Sequence, residues 1–163
     1  MIPLHDDNPT ERAPVVTIAW IAACIIVFIY QASLPAGSGD TFVFQYGAIP
    51  ALVFGEADLP EMGLAIPAYA TLITSMFLHG GWMHLIGNML YLWVFGNNVE
   101  DSMGRVRYVF FYLLVGLAAA ASQVMVSPDS AVPMVGASGA IAAVLFAAIV
   151  YSSPGNPFLS TPR

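Results

Sequence analysis

Ser138 lies in the run Gly-Ala-Ser-Gly of residues 136–139, within an apolar stretch that has no charged residue between Asp129 and Arg163. A serine hydroxyl becomes a nucleophile when a base takes its proton and fixed donors stabilise the oxyanion that forms on a carbonyl. Polar groups at membrane depth are costly, so function is their default interpretation. The position of Ser138 therefore predicts water-consuming chemistry inside a bilayer.

A second stretch, Met62–Val99, also lacks Lys, Arg, Asp and Glu, and it contains His79, His84 and Asn88. His84 and Asn88 are four residues apart and share one helical face. As oxyanion partners in a dry site, each is worth on the order of 3 kcal/mol. The alternative is that they form hydrogen bonds between membrane helices. His79, just before the helix, is expected to fix a loop as a hydrogen-bond donor.

Two other interpretations of these polar residues stay open. Serine is favoured at the N-cap of a helix for structural reasons alone, although Gly136 and Gly139 also permit close approach of another backbone or a substrate. The soluble nucleophile-elbow pattern is not met, because Ala140 stands where its final glycine belongs. A zinc site is disfavoured, since His79 and His84 are five apart and no carboxylate or thiolate is near in sequence. We expect no metal and no organic cofactor.

The composition is that of an integral membrane protein: 58% of residues are hydrophobic, 9% are charged and mean hydropathy is +0.77. Its 163 residues accommodate about four spanning helices of ~20 residues with their loops. The net charge is −6 and no cluster of Lys or Arg is present, which excludes a nucleic-acid partner.

The chain divides into a cytoplasmic segment 1–12, a membrane domain 13–152 and a tail 153–163. Residues 35–78 form an ordered loop whose short helices lie on the bilayer surface, because aromatic rings there alternate with polar residues. A tight turn at Gly104 separates the second and third spans. The predicted spans are Val15–Leu34, Trp82–Asn97, Tyr108–Val126 and Ser138–Ser152.

The fourth predicted span is too short to cross the membrane. Fifteen residues give ~22 Å against a ~30 Å hydrocarbon core, so Ser138 begins its helix below the surface, after a loop that dips inward. Small residues recur every four positions on the third and fourth spans, which predicts close helix packing. They are Gly116 and Ala120, and Gly139, Ala143 and Ala147.

The four arginines define an orientation. Arg12, Arg105, Arg107 and Arg163 all fall on one side of the membrane if the spans alternate. By the positive-inside rule this side is cytoplasmic. The N-terminus is then cytoplasmic, and the Ser138 site lies in the outer half of the membrane.

Together these features resemble a bacterial rhomboid, an intramembrane serine protease. The resemblance rests on the opening residues 1–9, on residues 79–88, on the Glu100 to Gly104 turn and on the Gly-Ala-Ser-Gly run. It implies an all-α, rhomboid-like bundle with four transmembrane helices of the family's six, acting on transmembrane protein substrates among membrane lipid. The resemblance implies that Ser138 is the nucleophile, and that His84, Asn88 and the backbone amide of Ser138 form the oxyanion hole. It also implies that His79 is a structural neighbour of this site and that Glu100 holds the cytoplasmic turn between the second and third spans.

The sequence departs from that family in two respects. The family's general base is a histidine on its sixth helix, whereas the histidines here are His5, His79 and His84. The first loop also lacks the arginine of the Trp-Arg pair found in many relatives. We expect a truncated or fragmentary rhomboid that does not turn over substrate alone. The alternative is a non-catalytic rhomboid-like protein that binds membrane clients. A small transporter or channel is disfavoured, because residues 13–39 hold no charge.

Overall fold

The computed structural model describes residues 12–53 and 63–152. Its helices are α1 (Val15–Ser33), α2 (Ser38–Tyr46), α3 (Pro50–Val53), α4 (Ala68–Thr74), α5 (Trp82–Met103), α6 (Arg105–Val126) and α7 (Ser138–Ser152), with a 3-10 turn at Ser75–Phe77. The predicted tail 153–163 and residues 1–11 of the predicted cytoplasmic segment, including His5, lie outside the described residues.

Two of these helices, α1 and α6, are long and apolar enough to cross a membrane. Their 19 and 22 residues correspond to about 29 and 33 Å. Helix α5 has the same length as α6 but carries polar side chains, and α7 has 15 residues, which is short of a ~30 Å core. The chain is a helical membrane protein, as predicted, while the count of four spans stays a prediction.

Helix α7 packs against both α5 and α6, and α1 packs against α5. The buried core between them includes Leu92 of α5, Tyr112 of α6 and Val144 of α7. Two of the predicted small residues lie in this contact: a Cβ atom on Gly116 would lie 3.2 Å from the Cβ of Ala140, and one on Gly139 would lie 2.5 Å from the Cβ of Ala119. The facing alanines, Ala140 and Ala119, are not among the predicted residues. Close approach of α6 and α7 therefore depends on the absence of side chains, as the spacing indicated.

Two helix ends differ from the prediction. Helix α5 continues to Met103 rather than ending at Asn97, and α6 begins at Arg105 rather than Tyr108. The polar run after Asn97 was expected to be a loop, but its Asn98 and Glu100 side chains are buried. Because these groups point into the protein, the helix persists until Gly104, whose φ of 81° makes the turn.

Glu100 anchors the start of α1. Its carboxylate accepts hydrogen bonds from the backbone N–H of Val16 at 3.0 Å and from the N–H and hydroxyl of Thr17 at 2.8 and 2.9 Å. These N–H groups have no partner within their own helix. The resemblance implied a tie for the turn between α5 and α6. Glu100 lies within α5 and contacts both places: its carboxylate bonds α1 and lies 3.9 Å from the Nε of Arg105, and its backbone carbonyl accepts from the N–H of Gly104 at 2.8 Å.

Arg105 contacts the residues before α1 at the end of the bundle where Glu100 lies. The Arg105 guanidinium donates a hydrogen bond to the carbonyl of Ala13, at 3.3 Å. Arg12 precedes Ala13 in the chain, so Arg12 and Arg105 lie at the same end. This agrees with the predicted clustering of arginines on one side.

At the opposite end, the connection between α6 and α7, residues 127–137, is bound by backbone hydrogen bonds. We call it the strap. Ala48 and Met134 form an antiparallel bridge, and the N–H of Ala51 donates to the carbonyl of Ser130 at 3.1 Å. The predicted short helices of the long loop are present as α2 to α4, and they hold the strap that leads into α7.

Candidate active site

Ser138 is the first residue of α7 and is exposed. It lines a cavity of about 550 Å³ whose walls come from the 3-10 turn, α6, the strap and the first turn of α7. Gln123 of α6 and Ser75 of the 3-10 turn are among the polar residues of these walls. The Ser138 side chain is thus exposed at the edge of a cavity, and its access to water at membrane depth stays a prediction.

The strap brings Gly136 to the mouth of this cavity. Its N–H donates to the carbonyl of Ser75 at 2.8 Å, and its φ is 114°. A Cβ atom built on Gly136 would lie 2.6 Å from Cε1 and 2.7 Å from Nε2 of His84, and 3.5 Å from Nδ2 of Asn88. Both the backbone conformation and the close contact require glycine here. The structure thus brings His84 and Asn88 together at Gly136. Gly136 precedes Ser138 by two residues in the chain.

The nitrogen atoms facing Gly136 are hydrogen-bond donors. The N–H of Gly80 points to Nδ1 of His84 at 3.5 Å, so in the neutral ring the proton lies on Nε2. Asn88 is buried, and its Nδ2 has no hydrogen-bond partner within residues 12–53 and 63–152. That amide nitrogen therefore does not join helices there, contrary to the structural alternative. Two side-chain nitrogen atoms therefore face Gly136, a residue that lines the same cavity as Ser138, whereas His84 and Asn88 are not themselves among the lining residues.

His79 has no exposed surface and lies between the 3-10 turn and α5. Its Nδ1 is 3.3 Å from the carbonyl of Phe77, consistent with the predicted loop-fixing donor. Its ring contacts that of His84 edge-on, with centroids 5.2 Å apart. Burial, assisted by the nearby His84, lowers the pKa of His79 from 6.5 to about 4. The ring is therefore neutral at physiological pH.

The other expected site residues are divided between two places. Gly139 borders the cavity, where it faces Ala119 of α6. Glu100 lies near the other end of α5 and contacts the start of α1, so it is not part of this site. Across the described part of the chain, no group of three or more His, Cys, Asp or Glu side chains is suited to hold a metal ion.

Gln31 is a residue that sequence reasoning missed. Its side-chain amide donates to the carbonyl of His79 at 3.0 Å, which links α1 to the site. Gln31 follows a long uncharged apolar run in α1. A polar side chain on such a helix is itself a signal of a specific contact, and that signal was available in the sequence.

The arrangement can bind a developing negative charge. Donors aimed at one point, in a site partly shielded from water, stabilise an oxyanion far better than water does. The exposed hydroxyl of Ser138 lies two residues from the glycine on which these donors converge. The chemistry that fits is attack of Ser138 on a carbonyl, with the carbonyl oxygen bound by His84 and Asn88.

Comparison with known proteins shows the family to which this chain is similar. Residues 67–159 match the family model for the rhomboid domain. The chain is 30% identical over 158 residues, 93% of its length, to rhomboid protease GluP of Bacillus subtilis. It is 39% identical over 75 residues to the chloroplastic Rhomboid-like protein 11, and 34% over 74 residues to RHOMBOID-like protein 5, both of Arabidopsis thaliana. These matches cover 46% and 45% of this chain, and the chain spans about a quarter of the length of each relative (26%, 28% and 24%).

Proposed function

This chain belongs to the rhomboid family, and from that premise we propose that it carries the nucleophile and the oxyanion-binding groups of an intramembrane serine endopeptidase. The observation that carries the proposal is the convergence of the His84 and Asn88 nitrogens on Gly136, two residues before the exposed Ser138. One of its relatives, GluP, is named a rhomboid protease. The family match and the apolar helices alone support the conclusion that the chain is an integral membrane protein of rhomboid type.

In the proposed reaction, Oγ of Ser138 forms a bond to a peptide carbonyl carbon while its proton passes to a base. The π electrons of the carbonyl move to oxygen, and the oxyanion accepts hydrogen bonds from Nε2–H of His84 and Nδ2–H of Asn88. Collapse of this intermediate expels the amine of the cleaved bond, which takes up a proton. The resulting acyl-serine is then hydrolysed by water.

The proposal assigns no general base to this chain. Its three histidines are His5, His79 and His84. His79 is fully buried and donates towards the carbonyl of Phe77, and His84 is assigned to the oxyanion. The proton acceptor is therefore a group from outside this set of residues, or solvent.

The substrates we propose are transmembrane proteins in the surrounding lipid. A peptide bond within a helix has its carbonyl hydrogen-bonded, so cleavage requires local unwinding, and glycine in the substrate favours it. The arginine arrangement supports a cytoplasmic N-terminus, and the similarity to a bacterial rhomboid protease supports a location in a bacterial inner (plasma) membrane. On that orientation the Ser138 cavity opens in the outer half of the bilayer.

A second candidate, a non-catalytic rhomboid-like protein that binds membrane clients, is favoured by one observation. The Nδ1 atoms of both histidines in the described segments face backbone groups, the carbonyl of Phe77 for His79 and the N–H of Gly80 for His84, and not the hydroxyl of Ser138. A protein that only binds membrane clients needs the cavity beside Ser138 but not the Ser138 hydroxyl. Client binding that is unchanged in Ser138→Ala, with no covalent chemistry at Ser138, is what this candidate predicts.

The deciding experiment is covalent capture of Ser138. The full chain in lipid vesicles is treated with a fluorophosphonate in a buffer that contains imidazole as external base, because the chain supplies none, and the adduct is located by mass spectrometry of peptides. We expect the adduct at Ser138 and not at Ser122, an exposed serine on α6 whose hydroxyl donates to the carbonyl of Ala118. Labelling is expected to slow in His84→Ala and Asn88→Ala. Equal labelling of both serines, or no effect of the two substitutions, would contradict the proposal.

A further inference from the structure

The ring of His84 needs a restraint that its own hydrogen bonds do not supply. Its Cε1 and Nε2 atoms face Gly136 at almost equal distances, since a Cβ there would lie 2.6 and 2.7 Å from them. A rotation about χ2 therefore changes whether an N–H or a C–H group is presented. The χ2 torsion of histidine has broad minima, and the hydrogen bond from Gly80 to Nδ1 is long, at 3.5 Å.

His79 is positioned to supply that restraint. Its ring meets the ring of His84 edge-on, with centroids 5.2 Å apart and an interplanar angle of 64°. Such tilted arrangements are the favoured ones for flat rings at this separation. Because His79 has no exposed surface, it cannot move aside without disturbing its surroundings.

His79 is itself held independently of His84. Gln31 of α1 donates to its carbonyl at 3.0 Å, and its Nδ1 faces the carbonyl of Phe77 at 3.3 Å. The Nδ1–H tautomer leaves Nε2 as an acceptor, and this atom has no hydrogen-bond partner among the described residues. The ring of His79 thus acts on His84 through its shape and not through a hydrogen bond.

We propose that His79 is a positioning residue, whose ring holds the imidazole of His84 in the orientation that directs Nε2–H towards Gly136, with Gln31 anchoring His79 to α1. The inference rests on the proposed role of His84 as an oxyanion donor. It requires a flat ring at position 79 rather than a titratable group. His79→Phe loses the contact with the carbonyl of Phe77 but keeps the ring and the backbone carbonyl that binds Gln31, so it should largely preserve the function. His79→Leu, which lacks a ring, should impair it.

The test uses nuclear magnetic resonance of the full chain in micelles, with isotope-labelled histidine. The chain has three histidines, so the ring spectrum is simple, and His84→Ala assigns the His84 signal. In the native chain we expect a nuclear Overhauser effect between the rings of His79 and His84. In His79→Leu we expect a shifted and broadened His84 signal, and phosphonylation of Ser138 slowed about tenfold at an unchanged half-saturating reagent concentration. In His79→Phe the His84 signal should be as sharp as in the native chain, and the rate of phosphonylation should be within about twofold of the native rate.

Each outcome bears on the inference. A folded His79→Leu variant with an unchanged His84 signal overturns it, as does the absence of the Overhauser effect in the native chain. If both variants at position 79 fail to fold, Gln31→Leu replaces them, because it keeps the ring and releases its anchor. The expected result there is again a changed His84 signal, and an unchanged one rejects the inference. Native labelling away from Ser138, with the spectra as expected, would instead refute the proposed function alone.

Discussion

Gly139 of α7 and Ala119 of α6 contact each other where the two helices border the cavity. A Cβ atom on Gly139 would lie 2.5 Å from the Cβ of Ala119. This is too close for two methyl groups, so the helices can keep their separation only if one of the two positions is glycine. The contact lies next to the serine, and the position of the Ser138 hydroxyl thus depends on helix packing.

The first prediction exchanges the two residues of this contact. Gly139→Ala should destabilise the chain by about 1–3 kcal/mol, because overpacking forces α6 and α7 apart. Adding Ala119→Gly should recover most of the loss, since the methyl group is then only moved from one helix to the other. Unfolding in mixed micelles measures both variants. Additive effects of the two substitutions would show that the helices do not meet here.

The second prediction concerns Gly136. Gly136→Ala should slow phosphonylation of Ser138 on the order of 100-fold, the effect of losing an oxyanion donor, because the new methyl group displaces the ring of His84. Gly104→Ala is the control: Gly104 also has a positive φ, but a Cβ there meets nothing within 4 Å. The control should lose about 1–3 kcal/mol of stability through backbone strain and keep its labelling rate. Similar rates of Ser138 phosphonylation in the two variants would argue against the contact between Gly136 and His84.

The third prediction tests the anchor of α1. Glu100→Gln keeps the shape of the side chain but replaces one acceptor oxygen by an NH₂ group, which cannot accept a hydrogen bond. The remaining oxygen can serve Thr17, and the N–H of Val16 then faces an NH₂ group. The expected loss of stability is about 2 kcal/mol. Asp129→Asn removes the same charge from an exposed turn and should change stability by less than about 0.5 kcal/mol. Equal effects would mean that the buried carboxylate is not the anchor.

The fourth prediction is a dependence of stability on pH from His79. The unfolded chain binds a proton at this residue near pH 6.5 and the folded chain only near pH 4, so the unfolded state holds more protons between these values. Its contribution is therefore favourable above pH 6.5, falls as pH falls through this window, and amounts to about 3 kcal/mol in total. Unfolding at a series of pH values measures it. His79→Phe should lack this loss, and an identical pH profile would show that His79 is not buried in a neutral form.

Much of the fold follows from the pattern of residues along the chain. Helix α7 has the predicted limits, Ser138–Ser152, and the turn at Gly104 is where glycine placed it. The end of α5 was predicted wrongly at Asn97, because the polar side chains after it resemble a loop until their partners are known. Glu100 illustrates this, since its donors lie 83 and 84 residues earlier in the chain.

The sequence predicted which residues belong to the candidate site, but it did not predict how they are arranged. Ser138, His84 and Asn88 stood out because polar groups in apolar stretches are costly. Their convergence on Gly136 needed the structure, as did the restraint that His79 exerts on His84. Gln31 carried a signal in the sequence, but its partner, the carbonyl of His79, is a backbone group that no side-chain pattern reveals.

The sequence by itself determined that this is a helical membrane protein with a serine at the start of a short helix, because hydrophobic runs, glycines and isolated polar residues act locally on the backbone. Only the tertiary structure decided which groups face that serine. The strap is held by bonds to a loop more than 70 residues away in sequence, such as that between Ala51 and Ser130. The positions of donors around Gly136 thus depend on packing between distant segments, and such packing is not encoded at any single position.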